Sequence, residues 1–245
     1  MTAEAIGPTA APAVLRLREI TKDYVAGGER IRAVDRVTLD ISGGEVVALF
    51  GPSGSGKSTL LQICAAVLPP DSGSVIVGER DITKLSERDA ASYRMHELGY
   101  VRQQIDLLEG ATAVENAALR LYGAGLSRRE AHRKVLPLLD TLGLAKRFKH
   151  RPDQLSMGER QRVMIARALS TEPRVLLADE PTGALDSQRK SEVLALLRDL
   201  TRAHDIATLL VTHDAHALDY ADRAFVLEDG ALQAHPDAPT PSGPR

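Results

Sequence analysis

"EVVALFGPSGSGKSTLLQICAAV", residues 45–67, limits what this chain can fold into more than any other stretch. Glu45 to Phe50 is a short apolar run that fits a strand buried on both faces. It runs directly into a glycine-rich loop, Gly51 to Thr59, and then into a helix expected from about Lys57 to Val67. The loop matches G-x-x-x-x-G-K-[ST] in the strand–turn–helix setting that the pattern requires. Successive backbone N–H groups in such a loop form a concave nest for phosphate oxygens, and glycines stand where a Cβ would block that approach. The candidate phosphate-binding residues are Gly51, Ser53, Gly54, Ser55, Gly56, Lys57, Ser58 and Thr59. Lys57 can neutralise the outer phosphates, and the Ser58 hydroxyl can reach a magnesium ion bound to them. A merely structural Gly/Ser turn is the alternative. Pattern and setting together favour a nucleoside triphosphate as ligand.

The rest of the chain alternates strand-like and helix-like segments. "VLRLREI", "IRAVDRVTLDI" and "GSVIVGERDI" read as strands. Ser86 to Ala145 reads as mostly helical, with apolar residues three and four apart. Then come a buried strand "RVLLADE", a helix "SQRKSEVLALLRDLTRAH", a strand "IATLLVTHD" and closing strands "RAFVLEDGAL". This rhythm predicts an α/β fold with a mostly parallel sheet covered on both faces. A helical subdomain, about residues 86–170, is inserted into it. The expected domain is 13–234, flanked by a disordered Ala/Pro/Gly-rich segment 1–12 and a disordered tail 235–245.

Composition removes several classes of function. A net charge of −2 gives no electrostatic footprint for nucleic acid, and the basic run Lys146–Arg151 reads as a solvated loop. Cys64 is the single cysteine, so no internal disulfide framework exists; it reads as a small buried hydrophobe. No run approaches the roughly 18 apolar residues of a membrane span. The N-terminus has neither a basic nor an apolar region suited to a signal peptide. The expected location is cytoplasmic, with any membrane contact made through a partner.

Two further motifs carry chemistry. In "VLLADEP", Asp179 and Glu180 fall at the carboxyl end of a predicted strand, the edge where ligands bind in open α/β sheets. An aspartate there can hold magnesium, and an adjacent glutamate can polarise the attacking water. In "QLSMGERQRV", Ser156 and Glu159 form the capping-box pattern of a helix start, with Gly158 in its first turn. That helix end presents free N–H groups and a partial positive charge, which suit an anion.

The order "LSMGERQRVMIARAL", "RVLLADEPTGALD", "LLVTHD" resembles the ATP-binding cassette (ABC) ATPases, from about Tyr24 to Gly230. The resemblance implies a P-loop NTPase cassette with an antiparallel β subdomain, ATP and Mg²⁺ as cofactors, and hydrolysis of ATP. It implies that Ser156, Gly158 and Glu159 cap the γ-phosphate of ATP held by a second ATP-binding subunit in a head-to-tail dimer. Gln103 of "YVRQQ" corresponds to the lid glutamine that senses magnesium and touches the membrane partner; Gln104 leaves that assignment open by one position. Ala184, Leu185 and Asp186 correspond to a segment crossing the dimer interface, His213 to the switch histidine at the γ-phosphate, and Tyr24 to the aromatic that stacks on adenine. Met157 replaces a glycine that is usual in the family. Either the site works with altered affinity or rate, or a different cassette subunit supplies the intact motif.

The implied role is the ATP-hydrolysing subunit of a membrane transporter, peripheral on the inner face of the membrane through transmembrane permease subunits. "ADEPTGALD", "HRPDQLS" and "IDLLEGATAVENAAL" look most like the lipoprotein-release, macrolide-export and cell-division-associated branch. An importer subunit, a non-transport cassette ATPase and a regulatory ATP-binding module are the alternatives. One cassette in 245 residues without a coiled coil argues against the second, and retention of Glu180 against the third.

Overall fold

The computed structural model describes residues 13–183 and 185–238. The expected disordered segment 1–12, residues 239–245 of the expected tail, and Ala184 lie outside the described residues. The chain opens with β1 (Ala13–Ala26), β2 (Glu29–Ser42), β3 (Val46–Phe50), α1 (Lys57–Cys64), β4 (Ser72–Val77) and β5 (Arg80–Asp81). Next come α2 (Glu87–His96), β6 (Leu98–Val101), α3 (Ala113–Gly123), α4 (Arg128–Thr141) and α5 (Met157–Leu169). The last elements are β7 (Val175–Asp179), α6 (Ser187–Ala203), β8 (Ala207–Val211), β9 (Arg223–Glu228) and β10 (Ala231–Ala234).

The strands form two sheets among the described residues. One is antiparallel in the order β2-β1-β4-β5; the other has the order β10-β9-β3-β8-β7-β6. In the second sheet β9, β3, β8, β7 and β6 run parallel, and β10 folds back antiparallel to β9. Each residue of β3 is buried, and the two-residue period of a strand divides them between two cores. Val46, Ala48 and Phe50 belong to the buried cluster that also holds side chains of α3, α4, α5 and α6, whereas Val47 and Leu49 belong to the one that holds the antiparallel sheet and α1. Burying each such Val or Leu side chain stabilises the fold by roughly 1.5–3 kcal/mol, so the strand that launches the glycine-rich loop is held firmly from both faces.

Two details differ from the sequence reading. The stretch expected to be mostly helical contains β6, which pairs with β7 as the sheet's edge. Its four residues, Leu98–Val101, are too short for periodicity to separate strand from buried helix. The expected tail begins with packed residues: the ring of His235 lies 4.8 Å from that of Phe50, and Ala238 rests on the same core.

Candidate functional site

The sheet order decides which loops meet. Leu49 of β3 and Asp179 of β7 are both in register with Val211 of β8, and Val101 of β6 is in register with Ala178. The segments after β3, β8, β7 and β6 therefore leave one carboxyl edge side by side. They bound a cleft of about 720 Å³ lined by Gly51, Ser53, Gly54, Gly56, Lys57, Ser58, Thr59, Gln103, Asp179, Glu180 and His213, with Tyr24 at β1. Of the two adjacent glutamines, Gln103 lines the cleft. Ile31, Arg32, Ala33, Asp229 and Gly230 also line it and were not singled out from the sequence. Ile31 sits opposite Tyr24 in the β1–β2 pairing, so its place follows from hairpin register, which no motif carries. The Tyr24 hydroxyl lies 3.5 Å from Thr59 Oγ1.

The start of α1 is the open anion end of the fold. Side-chain oxygens of Ser86, Thr112, Ser127, Ser156 and Asp186 cap α2 to α6, each accepting from a backbone N–H of the first turn. α1 has Gly56 as its N-cap, with φ +102° and no side-chain cap, so its first N–H groups remain available to an anion. A Cβ on Gly56 would lie 1.9 Å from Ala33 O, and one on Gly51 2.2 Å from Leu227 O. The protein's own backbone thus demands these two glycines, a reason different from the ligand approach inferred from sequence. Gly54 has φ +83° and open space around it. Ser55 is buried and does not line the cleft. Lys57 Nζ donates to Gly51 O at 2.8 Å and Pro52 O at 2.7 Å, folding back across the loop. Burial lowers its pKa, against the opposing pull of Glu180 and Asp179.

The acidic side of the cleft is equally specific. Burial, followed by the neighbouring Glu180 charge, raises the pKa of Asp179, while Lys57 and Arg102 act to lower it. Ser58, Gln103 and Asp179 share the cleft and offer a hydroxyl, an amide oxygen and a carboxylate, a hard-oxygen set that fits magnesium. A cation beside Asp179 would favour the ionised form that burial disfavours. Glu180 has a left-handed backbone, φ +49°, and its N–H donates to Val211 O at 2.9 Å. Its Oε1 shares a 2.8 Å hydrogen bond with His213 Nδ1, and its Oε2 accepts from Thr212 Oγ1 at 3.4 Å. A carboxylate so tethered can orient and polarise a water against a phosphate bound at α1.

The α5 start lies elsewhere: Ser156, Gly158, Glu159 and Asp186 are not among the residues lining this cleft. Ser156 Oγ accepts from Glu159 N at 3.2 Å, Glu159 Oε2 accepts from Ser156 N at 2.8 Å, and Arg147 Nε donates to Glu159 Oε1 at 2.8 Å. The capping box is therefore formed and further braced. Met157 is 41% exposed, directed away from the core. A Cβ on Gly158 would meet Arg189 Cδ at 3.6 Å, an ordinary contact, so the fold itself has no need of glycine there. Asp186 caps α6 through Arg189 N at 3.0 Å.

A family described as ABC transporter matches residues 34–183, a span holding the glycine-rich loop, the α5 start and the Asp179–Glu180 pair. The chain belongs to the ABC transporter family. This cassette is 44% identical over 220 residues to the lipoprotein-releasing system ATP-binding protein LolD 2 of Caulobacter vibrioides, covering 90% of this chain and 96% of that one. It is 42% identical over 221 residues to the macrolide export ATP-binding/permease protein MacB of Rhodopirellula baltica, covering 89% of this chain but 32% of that relative. Among solved structures, the dimeric bacterial ABC transporter cassette MJ0796 superposes with a TM-score of 0.79 at 36% identity, over 90% of this chain and 98% of that one. A second structure of MJ0796 is a dimer in a post-hydrolysis state bound to ADP and Pi. The chain is accordingly an ATP-hydrolysing, nucleotide-binding cassette of the ABC type.

Proposed function

We propose that this cassette drives an export-type or force-transmitting ABC transporter by closing as a dimer on two ATP molecules. The observation that carries the reading is the convergence of Lys57, Asp179 and the hydrogen-bonded Glu180–His213 pair on one cleft beside the uncapped start of α1. In this reading the N–H groups of residues 57–59 and the Lys57 ammonium bind the phosphates, and Tyr24 stacks on the base. Ser58, Gln103 and Asp179 hold Mg²⁺, which when bound neutralises phosphate charge. Glu180 polarises the attacking water, and His213 fixes the Glu180 carboxylate and reaches the γ-phosphate. Ser156 and Gly158, with Glu159 bracing the α5 start, close over the γ-phosphate held by a second subunit, and Asp186 lies near that junction. Neither Ser156 nor Gly158 lines this chain's own cleft, which is why a second cassette enters the proposal. The exposed Met157 tunes that closure without blocking it.

Closure passes to transmembrane permease subunits that hold the cassette on the inner face of the membrane. Among the described residues no helix is long and apolar enough to cross a membrane. The relatives named for lipoprotein release and macrolide export support the export side of this reading. The test is the solution mass of Glu180→Gln, by light scattering, with and without Mg·ATP. A shift from about one subunit to about two supports the shared site. A monomer with ATP demonstrably bound overturns closure by this chain alone.

A further inference from the structure

Lys190, which no motif includes, stands where the start of α6 meets the segment that carries His213. Its Nζ lies 2.9 Å from Asp214 Oδ2, and this pair is largely shielded, with side chains 23% and 10% exposed. Asp214 occupies a dense set of contacts. Its Oδ1 accepts from His216 N at 3.1 Å and shares a 2.8 Å contact with His216 Nδ1, and its own N–H donates to Thr212 Oγ1 at 3.1 Å. Thr212, fully buried, in turn donates to Glu180 Oε2 at 3.4 Å. His213 lies between these two anchors, 69% exposed, with Glu180 Oε1 as its side-chain partner.

At the other end, the backbone N–H of Lys190 donates to Asp186 O at 2.9 Å, and the Asp186 carboxylate caps the same helical turn. One lysine therefore belongs to the first turn of α6 through its backbone and to the His213 segment through its ammonium. A shielded ion pair tolerates little displacement of either partner, because separating them strands a charge away from water. The ring of His213 has no comparable packing of its own, so its position against Glu180 depends on how Asp214 is held.

We propose that Lys190 is a positioning residue for hydrolysis: through Asp214 it fixes His213 against Glu180 and ties that pair to the Asp186 end of α6. This rests on the role proposed above for Glu180 and His213. The depressed pKa of Asp214, which Lys190 and His216 impose against the effect of burial, agrees with a persistent pair.

The test is steady-state ATPase activity and nucleotide affinity of Lys190→Met, Lys190→Arg and Asp214→Asn, with His213→Ala as reference. Lys190→Met is expected to lower kcat about tenfold while the ATP Kd stays within about twofold, since ground-state binding does not use this pair. Lys190→Arg should recover at least about half of the lost rate, and Lys190→Met/Asp214→Asn should be no slower than the slower single variant. A Lys190→Met kcat within about twofold of the unsubstituted protein overturns the inference, as does a rate loss matched by an equal loss of affinity. If Asp214→Asn fails to fold, the Lys190 variants still decide the matter. If His213→Ala retains full activity, the underlying reading of the site fails instead, and the two failures are thereby distinguished.

Discussion

His213 Nδ1 lies 2.8 Å from Glu180 Oε1 although the two residues are 33 positions apart. They meet because β7 and β8 are paired with Asp179 opposite Val211, so each residue sits just beyond the same sheet edge. The side chains contrast sharply in exposure, 13% for Glu180 and 69% for His213. That combination suits a carboxylate held in place by the protein and a ring free to meet a ligand.

Glu180→Gln and His213→Ala are each expected to lower kcat by at least about 100-fold while leaving nucleotide affinity nearly unchanged. The double variant should be far less than multiplicatively slower if the two residues act as the proposed unit. Single-turnover hydrolysis and a direct nucleotide-binding assay measure the two quantities separately.

Gly56 and Gly54 should separate folding from binding. Gly56→Ala drives a Cβ to within 1.9 Å of Ala33 O at φ +102°, so a stability loss of about 3 kcal/mol or more is expected in urea unfolding. Gly54→Ala meets no atom within 4 Å and carries only left-handed strain, a loss of about 1–2 kcal/mol. Its folded fraction should nonetheless bind ATP more weakly, as read by displacement of a fluorescent nucleotide.

At α5, Gly158→Ala should leave stability unchanged or slightly raised, because the new methyl meets only Arg189 Cδ at 3.6 Å and alanine favours helix. ATP-driven dimerisation should fall if, as proposed above, a second subunit's phosphate approaches the backbone at Gly158. Met157→Gly should act in the opposite sense, raising ATPase activity or dimerisation. Unchanged values of both would remove Met157 from any tuning role.

Acid stability supplies a check on Asp214. Its pKa is depressed from the ordinary 3.8 to about 2: burial alone would raise it, but Lys190 and His216 outweigh that effect. A carboxylate depressed on folding contributes stability that is complete above its unfolded value and disappears as pH falls through the folded one. The Tm difference between the unsubstituted protein and Asp214→Asn should therefore be full above pH 5 and shrink between about pH 4 and pH 2. A difference that stays constant down to pH 2 would mean that the pair does not persist in solution.

Much of the site was legible in the sequence because its motifs are local. The glycine-rich loop, the capping box at Ser156 and the Asp179–Glu180 pair each join a recognisable pattern to a strand or helix end. What escaped depends on pairings between distant segments. Ile31 enters the cleft through its register with Tyr24, and β6 is an edge strand only because β7 offers it a partner. Gly51 and Gly56 were found but for a different reason, since the carbonyls of Leu227 and Ala33 that crowd them belong to remote strands. Lys190 and Asp214 belong to neighbouring segments only after α6 and β8 have packed.

The left-handed backbone of Glu180 has a consequence for how this chain tolerates change. A glutamate at φ +49° is strained by about 1–2 kcal/mol, which glycine, and in part asparagine, would relieve. Some substitutions expected to silence turnover at this position are thus among those the backbone welcomes. Relief of that strain and retention of the carboxylate are therefore opposed demands on a single residue.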